Sequence, residues 1–494
     1  MPRPIAPEDL TWLLMDRPNN LMHVHAFMVF DKVPDLSALT EVIMERAVRK
    51  FRRLSQVPVI LDGEWHWEDD QDFDITRHVR QVVLDDIGEE SFRTYLSGLF
   101  SVPFDRRRPL WEAQLVTGPP GGSEGYVLAR FHHGLADGIR LVQLLISLCD
   151  PAEGSTPSAV GRKADREHQH PLEQVLHVVG SSVGDSVDFA AGVTQSVARA
   201  AMTLVTTTNP LRLVGHISDA LALVRHPVRL IDAVTEPTSP DNEISNSWRE
   251  IGRMLLSDGS RAGVWSGRPG VQKSVAWVES LPLEGIRRAS KAYGCTLNDV
   301  LLGAVSLALT DYLAERHVTD VTSLSWLMPV SMQPLDSDLP PTLGNKFVVV
   351  MMPMPLGITD HAELLADIHL KTTRVKNSAE PLAALGVQRV IAESPLRVAR
   401  GLTDFFAGKA IGQLSNVPGP RVPMTLAGAP VRSILGWVPT SGDQPVGICL
   451  FSYADKISVG VATDARMIPD PLHLAQLVEG HLEQLALSHK EADV

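Results

Sequence analysis

Cysteine is scarce in this chain. Three residues, Cys149, Cys295 and Cys449, stand far apart in 494 positions and form no CxxC pair. Neither a disulfide framework nor a thiolate zinc site is expected, and a reducing cytoplasm fits. Basic residues are the minority, with 45 Lys and Arg against 58 Asp and Glu and a net charge of −13. That balance argues against nucleic acid as the main partner and gives no general pull toward an anionic membrane. Long apolar runs are missing as well. The strongest, Val300 to Leu309, is about half of the ~20 residues that a membrane-spanning helix needs. The first nine residues, Met1 to Asp9, carry prolines and an acidic pair and lack the apolar core of a secretion signal. The expectation is a chain that does not cross a membrane. No glycine-rich loop ends in Lys-Ser/Thr, so nucleoside triphosphate chemistry is unsupported, and no HExxH helix offers a zinc site.

What is present is the composition of a globular protein, 44% hydrophobic and 21% charged. The length exceeds one ordinary core and favours two or three domains. A strand is expected from Met22 to Phe30 and a helix from Ser37 to about Phe51. A hairpin follows around Asp62-Gly63, then a helix over 89–100, strands over 111–116 and 126–131, and a helix over 138–149. Strands alternating with helices indicate a layered α/β (α+β) domain over residues 1–170. Residues 171–270 read as a helical connector and linker. Its apolar stripe from Leu172 to Leu204 suits a helix packed between domains better than one on lipid, because Ala, Val and Gly dominate where Trp or Phe would anchor. Residues 271–494 resume the same grammar. Strands are expected at 273–278, 324–330, 347–354, 446–453 and 457–462, the last two paired around Asp455-Lys456. Helices are expected at 283–293, 296–315, 360–376 and 471–487.

The most informative stretch is Phe131-His132-His133-Gly134-Leu135-Ala136-Asp137-Gly138, directly after an apolar strand. A neutral imidazole near its reference pKa of ~6.5 takes a proton at physiological pH, which suits general base work. Two adjacent histidines point to opposite faces of an extended chain, so His132 and His133 are poorly placed to share a metal ion. His133 is therefore read as the base and His132 as a hydrogen-bonded support behind it. Asp137 either orients the imidazole or braces the loop, and its spacing favours bracing. Gly138 removes a Cβ beside the imidazole. Gly180-Ser181-Ser182-Val183-Gly184 matches the G-x-S-x-G pattern but lies inside a helical stripe rather than at a strand-to-helix turn. Thr296-Leu297-Asn298-Asp299 opens an apolar helix, either as a cap alone or with Asn298 reaching a reaction channel.

The HHxxxDG pattern at His132–Gly138 resembles the signature of the CoA-dependent acyltransferase superfamily. The ordered series around it is more particular. Pro109-Leu110-Trp111-Glu112, Asn298-Asp299, Met328-Pro329-Val330-Ser331-Met332, Leu343-Gly344-Asn345 and Ser415-Asn416-Val417-Pro418-Gly419-Pro420 are similar to segments of the bacterial wax ester synthase/diacylglycerol acyltransferase family. The resemblance spans nearly the whole chain. Gln333 departs from it, standing where an arginine is common, and Lys346 follows the LGN segment where variation is wide.

The resemblance implies two chloramphenicol-acetyltransferase-like domains joined by a helical connection, with a channel between them. It implies His133 as base, with His132 and Asp137 beside it. Gly138, Pro109, Leu110, Trp111, Asn298, Asp299, Ser415 and Asn416 are implied at the channel. The expected reaction moves a long-chain acyl group from acyl-CoA, a substrate rather than a cofactor, to diacylglycerol or a fatty alcohol. No metal and no covalent acyl-enzyme is expected. The expected location is the cytoplasm, with peripheral contact at the inner membrane face or at lipid inclusions. The rival readings are a condensation-type transferase using carrier-bound donors and a non-catalytic lipid-binding or lipid-droplet protein.

Overall fold

The computed structural model describes residues 2–154, 267–331, 339–377 and 396–487, together with Trp265 and Ile391. The expected connector helices, the serine pattern at 180–184 and Gln333 lie outside the described residues.

The N-terminal half begins with β1 (Arg3–Pro4) and α1 (Pro7–Met15). Pro7 at the first helical turn and Glu8 and Asp9 behind it are ordinary helix-start chemistry. β2 (His23–Phe30) is buried at every position. α2 (Leu36–Ile43) is capped by Asp35, whose carboxylate accepts from the Ser37 and Ala38 amides at 2.8 and 3.2 Å. The helix expected to run on to Phe51 instead widens into a π-helical turn over Met44–Val48. β3 (Gln56–Leu61) and β4 (Glu64–Asp69) form the expected hairpin, with Asp62 and Gly63 at φ 50 and 84, the left-handed pair of a tight turn. β5 (Val79–Val83), α3 (Glu89–Leu99), β6 (Trp111–Thr117), β7 (Gly125–His132), α4 (Gly138–Ser147) and β8 (Cys149–Pro151) complete this half.

The C-terminal half contains β9 (Lys273–Pro282), α5 (Leu283–Ala292), α6 (Leu297–Ala314), β10 (Ser323–Ser331), β11 (Phe347–Pro355), α7 (His361–Asn377) and α8 (Leu396–Ala407). It continues through β12 (Gly412–Pro418), β13 (Met424–Leu426), β14 (Ala429–Pro430), β15 (Ser433–Trp437), β16 (Val446–Tyr453), β17 (Lys456–Asp464) and α9 (Pro471–Leu487). The turn between β16 and β17 falls at Ala454 and Asp455, φ 47 and 57, one residue earlier than expected. α6 is long and apolar enough to cross a membrane by length and composition, but 72% of it is buried in the fold. It is the spine of the C-terminal core, with Val300, Leu302, Ala304, Val305 and Leu309 all fully covered.

The strand order explains how the halves hold together. Of the four sheets among the described residues, the six-stranded one runs β11-β10-β12-β16-β17-β9 and the five-stranded one runs β15-β2-β7-β6-β5. β15, from residues 433–437, is therefore the edge of the N-terminal sheet, pairing antiparallel with β2 from Ser433↔Val29 to Trp437↔His25. β13 likewise pairs with β8. The chain-order division at residue 271 is thus crossed by strands that the sequence reading left unassigned. Behind β2 and β7 an aromatic cluster of Phe27, Phe92, Tyr126, Trp277 and Trp437 seals the two halves. Trp437 lies so close to β17 that a Cβ on Gly460 would stand 2.9 Å from its indole, so only glycine fits there.

Candidate active site

β7 ends at His132, whose amide donates to the Leu110 carbonyl at 2.9 Å. The strand register places His23 opposite it, with ring centroids 5.5 Å apart. The His132 ring is bonded at both nitrogens. Nδ1 accepts from the Gly134 amide at 3.0 Å, so the proton resides on Nε2, which lies 3.1 Å from Asp16 Oδ2. Asp16 ends α1 and also accepts from the Met22 amide at 2.7 Å and from Arg106 at 3.1 Å. Burial pushes the Asp16 carboxyl up, but His132, the Met22 amide and Arg106 together hold it below its ordinary value. His132 is thus an anchor behind the loop.

His133 leaves the strand and turns the other way. Its amide donates to the Met22 carbonyl at 2.7 Å, and its own carbonyl accepts from Asn345 Nδ2 at 3.0 Å. The ring stacks on Trp12 at 4.0 Å and tilts against Phe347 at 5.5 Å. It is 4% exposed, and Nδ1 is buried with no hydrogen-bond partner. Burial first, then the neighbouring His132, pushes this imidazole down to about 3. It stands neutral at physiological pH, and its burial makes the resting ring a weaker base than the ordinary imidazole near ~6.5 that the sequence suggests.

The same burial has a consequence for stability. His23, His25 and His133 are all held below the ordinary histidine value, chiefly by desolvation. The unfolded chain therefore binds protons below ~6.5 that the native rings refuse. Their destabilising effect is absent above that pH and grows as pH falls toward the folded values, at about 1 kcal/mol per pH unit per ring. Asp9 and Asp137, raised by burial, work in the opposite direction only toward the carboxylate range. The melting temperature is expected to fall steadily from pH 6.5 to 4.5. A flat profile in a thermal scan series would show that these rings are not held dry.

Asp137 does not touch the His133 ring with any hydrogen bond among the described residues. It caps α4, with Oδ1 accepting from the Arg140 amide at 2.9 Å and Oδ2 from the Lys346 amide at 2.8 Å. Of the two roles open to Asp137, these contacts are those of the brace that its spacing favours. The brace reaches into the C-terminal half. Leu343 and Gly344 take positive φ values of 53 and 89, Gly344 donates to the Leu135 carbonyl at 3.0 Å, and Arg140 holds the Leu343 and Gly344 carbonyls. Residues 343–345 therefore clasp the histidine loop. Gly138, expected beside the imidazole, opens α4 and borders an apolar cavity with Phe131, Val142, Trp437 and Phe451. A Cβ there would stand 3.5 Å from Val438 Cγ1, an ordinary contact.

The other expected channel residues divide. Pro109 and Leu110 lead into β6, and Leu110 is fully buried, holding the end of β7. Trp111 is anchored in the N-terminal core by its indole N–H to the Leu54 carbonyl at 2.7 Å. Asn298 Oδ1 accepts from Asn416 Nδ2 at 3.1 Å, and both residues are half-buried, which leaves the Asn298 amide nitrogen as a donor. Asp299, in contrast, is wholly buried. It forms a capping box with Thr296 and binds His369 and Thr372 at 2.7 Å each, tying α6 to α7. Ser415 is buried against Cys449.

Four residues around the histidines escaped the sequence reading. Asp9, Trp12, Leu13 and Asp16 lie at i, i+3, i+4 and i+7 from one another, one face of a helix opened by proline, and that spacing was the available signal. Asn345 was visible only as part of the LGN segment. Asp16, His23 and His132 bring potential ligand atoms within 4.8 Å of one another. The donor chemistry is wrong for a cation, because His132 Nε2 carries the proton and Arg106 and Arg130 flank the group.

The fold of two large sheets with one histidine held between its halves is that of the two-domain acyltransferases and condensation domains. Residues 5–301 match the wax ester synthase/diacylglycerol acyltransferase catalytic domain, and residues 343–486 match the WS/DGAT C-terminal domain. The chain belongs to this family. It is 22% identical to the O-acyltransferase WSD of Acinetobacter baylyi, covering 97% of this chain and 96% of that protein. It is 26% identical to the probable diacylglycerol O-acyltransferase tgs1 of Mycobacterium tuberculosis, covering 93% and 90%. The solved wax ester synthase/diacylglycerol acyltransferase of Marinobacter aquaeolei shares the fold, with a TM-score of 0.63 at 18% identity over 98% and 99% of the chains. The first condensation domain of the calcium-dependent antibiotic synthetase also shares it, with a TM-score of 0.54 at 13% identity over 98% and 97%.

Proposed function

We propose that the protein moves a long-chain acyl group from acyl-CoA to the hydroxyl of a diacylglycerol or a fatty alcohol, with His133 as general base. The observation that carries this is a neutral, buried imidazole held between Trp12 and Phe347, where segments of both halves meet. In the reaction the ring takes the hydroxyl proton as the oxygen attacks the thioester carbonyl. The tetrahedral oxyanion then collapses, the C–S bond breaks, and the CoA thiolate recovers the proton from the imidazolium. Burial disfavours imidazolium in the resting protein, but the oxyanion that forms beside it supplies the missing counter-charge, so the pair is stabilised chiefly in the transition state. The base is worth roughly 10²–10⁴ in rate. The half-buried amide of Asn298 is the candidate oxyanion donor, worth roughly 10²–10³.

The thiols support direct transfer without an acyl-enzyme. Burial pushes Cys149 and Cys449 up to about 12 and Cys295 to about 11, so each remains a protonated, poor nucleophile. The apolar cavity between Gly138 and Trp437 offers a surface of the kind an acyl chain needs. Acyl-CoA is a substrate in this scheme, and no step calls for a metal or cofactor. A lipid acceptor supports the reading of a cytoplasmic enzyme working against the inner membrane face or lipid inclusions.

The test is a product assay with radiolabelled acyl-CoA, dioleoylglycerol and hexadecanol. Labelled triacylglycerol or wax ester is expected, with one free CoA per ester. The same acyl group on a carrier protein should be a poor donor. Transfer from carrier-bound donors to amines alone would install the condensation reading, and lipid binding without turnover from any donor would install a non-catalytic one.

A further inference from the structure

The reaction needs a cation where the protein offers it no carboxylate. His133 becomes positively charged when it takes the hydroxyl proton, yet its ring is buried and its Nδ1 has no hydrogen-bond partner. The acidic side chains of the surrounding segments are all engaged elsewhere. Asp137 accepts the Arg140 and Lys346 amides, Asp9 accepts two donors of Asn345, and Asp16 serves His132, Met22 and Arg106. His132 opposes a charge on the ring rather than favouring it. What does face the ring is an aromatic surface. The Trp12 indole stacks on it with centroids 4.0 Å apart and planes at 30°. Phe347 stands farther off, at 5.5 Å and tilted by 49°. The face of an indole carries negative potential from its quadrupole and attracts a cation within ~6 Å of its centre. Tryptophan is the strongest aromatic residue in this respect, and the attraction grows where water is kept away.

We infer that Trp12 stabilises the imidazolium that His133 becomes during acyl transfer, its indole face serving as the electrostatic partner that no carboxylate supplies. Trp12 acts through His133 and is in that sense a positioning residue. The inference rests on His133 being the base. Against the neutral ring the indole offers dispersion and little else. Against the protonated ring it adds the attraction of charge for quadrupole, so the benefit falls on the transition state. The stack is held in place because α1 is fastened to the histidine loop on either side of Trp12. Asp16 holds the His132 ring at 3.1 Å. Leu13 packs so tightly against Gly134 that a Cβ there would stand 2.9 Å from its Cγ. Asp9 is joined to the His133 carbonyl through Asn345 Nδ2, at 2.9 and 3.0 Å. Trp12 lies among these three on one helical face, so its indole is in position before the charge develops. In the resting protein burial outweighs the attraction, and the imidazole stays neutral.

The test changes the charge on the indole face and keeps its shape. Trp12 alone is replaced, in the full-length protein, by mono-, di- and trifluorotryptophan, each fluorine drawing electron density from the ring. With acyl-CoA and a lipid alcohol, log kcat is expected to fall in step with the number of fluorines, reaching about tenfold for the trifluoro ring. KM for acyl-CoA should stay within about twofold, because the neutral ring of the ground state does not feel the change. The melting temperature should stay level. Trp12→Phe, with a weaker face, should lose about threefold in kcat, and Trp12→Leu about 10- to 30-fold. A tryptophan that only fills space tolerates the fluorines, so a flat kcat across the series overturns the inference whatever Trp12→Leu does. In His133→Ala the residual turnover should ignore the fluorines. A fluorine effect that survives there is equally fatal, since the indole would then be acting on something other than the imidazole. Near wild-type turnover in His133→Ala removes the base assignment itself, whereas a flat series in an enzyme that needs His133 removes only the role of Trp12.

Discussion

His133→Ala is expected to lower turnover by roughly 10²–10⁴, the contribution of a positioned base, while the protein still folds. The ring is buried and stacked on Trp12 at 4.0 Å, so its removal leaves a cavity and costs about 1–3 kcal/mol. Part of that loss is offset, because a buried nitrogen without a partner disappears with it. The melting temperature should drop by a few degrees at neutral pH. Acyl-CoA should still bind, since the imidazole contributes to the transition state more than to the ground state. Turnover near the wild-type rate in a well-folded variant would end the base assignment.

Asp137→Ala should have the larger effect on stability. The substitution removes the cap of α4, worth about 0.5–2 kcal/mol. It also strands the partly exposed Lys346 amide, which water can reach at a cost of about 1 kcal/mol, and takes away the carboxylate 3.8 Å from the buried Arg140 guanidinium. A total loss of about 2–4 kcal/mol is expected, with the melting temperature falling by several degrees and activity falling with it. Asp137→Asn, which retains an acceptor for one of the two amides, should recover part of both. Lost activity at an unchanged melting temperature would instead show Asp137 acting on the reaction itself.

The contrast between these variants marks what the sequence could and could not reveal. Periodicity exposed β2, β7, α6 and α9, because each carries its own apolar pattern. The His-His-x-x-x-Asp-Gly stretch exposed the base, because the chemistry sits on one short segment after a strand. Residues 433–437 gave no such signal. Five residues, Ser-Ile-Leu-Gly-Trp, match many partners, and nothing local to them states that they join a strand some 400 positions earlier. The same holds for Asn345, which meets His133 across 212 residues of chain. The tautomer of His132 was also invisible, since it depends on the fold of Gly134 and on the end of α1. At Asp299 the capping alternative was legible in the Thr296-Leu297-Asn298-Asp299 spacing, while its tie to His369 and Thr372 was not.

The edge strand at 433–437 has a consequence for how the protein is made. Until the ribosome has released that segment, β2 presents an open row of backbone donors and acceptors along eight residues that are buried in the finished protein. A nascent chain stopped before it would carry both histidines and still lack the neighbour that completes their layer. A message truncated there should yield aggregate rather than a small working acyltransferase, so thioester donors in the cell meet the base only after residues 433–437 have been translated.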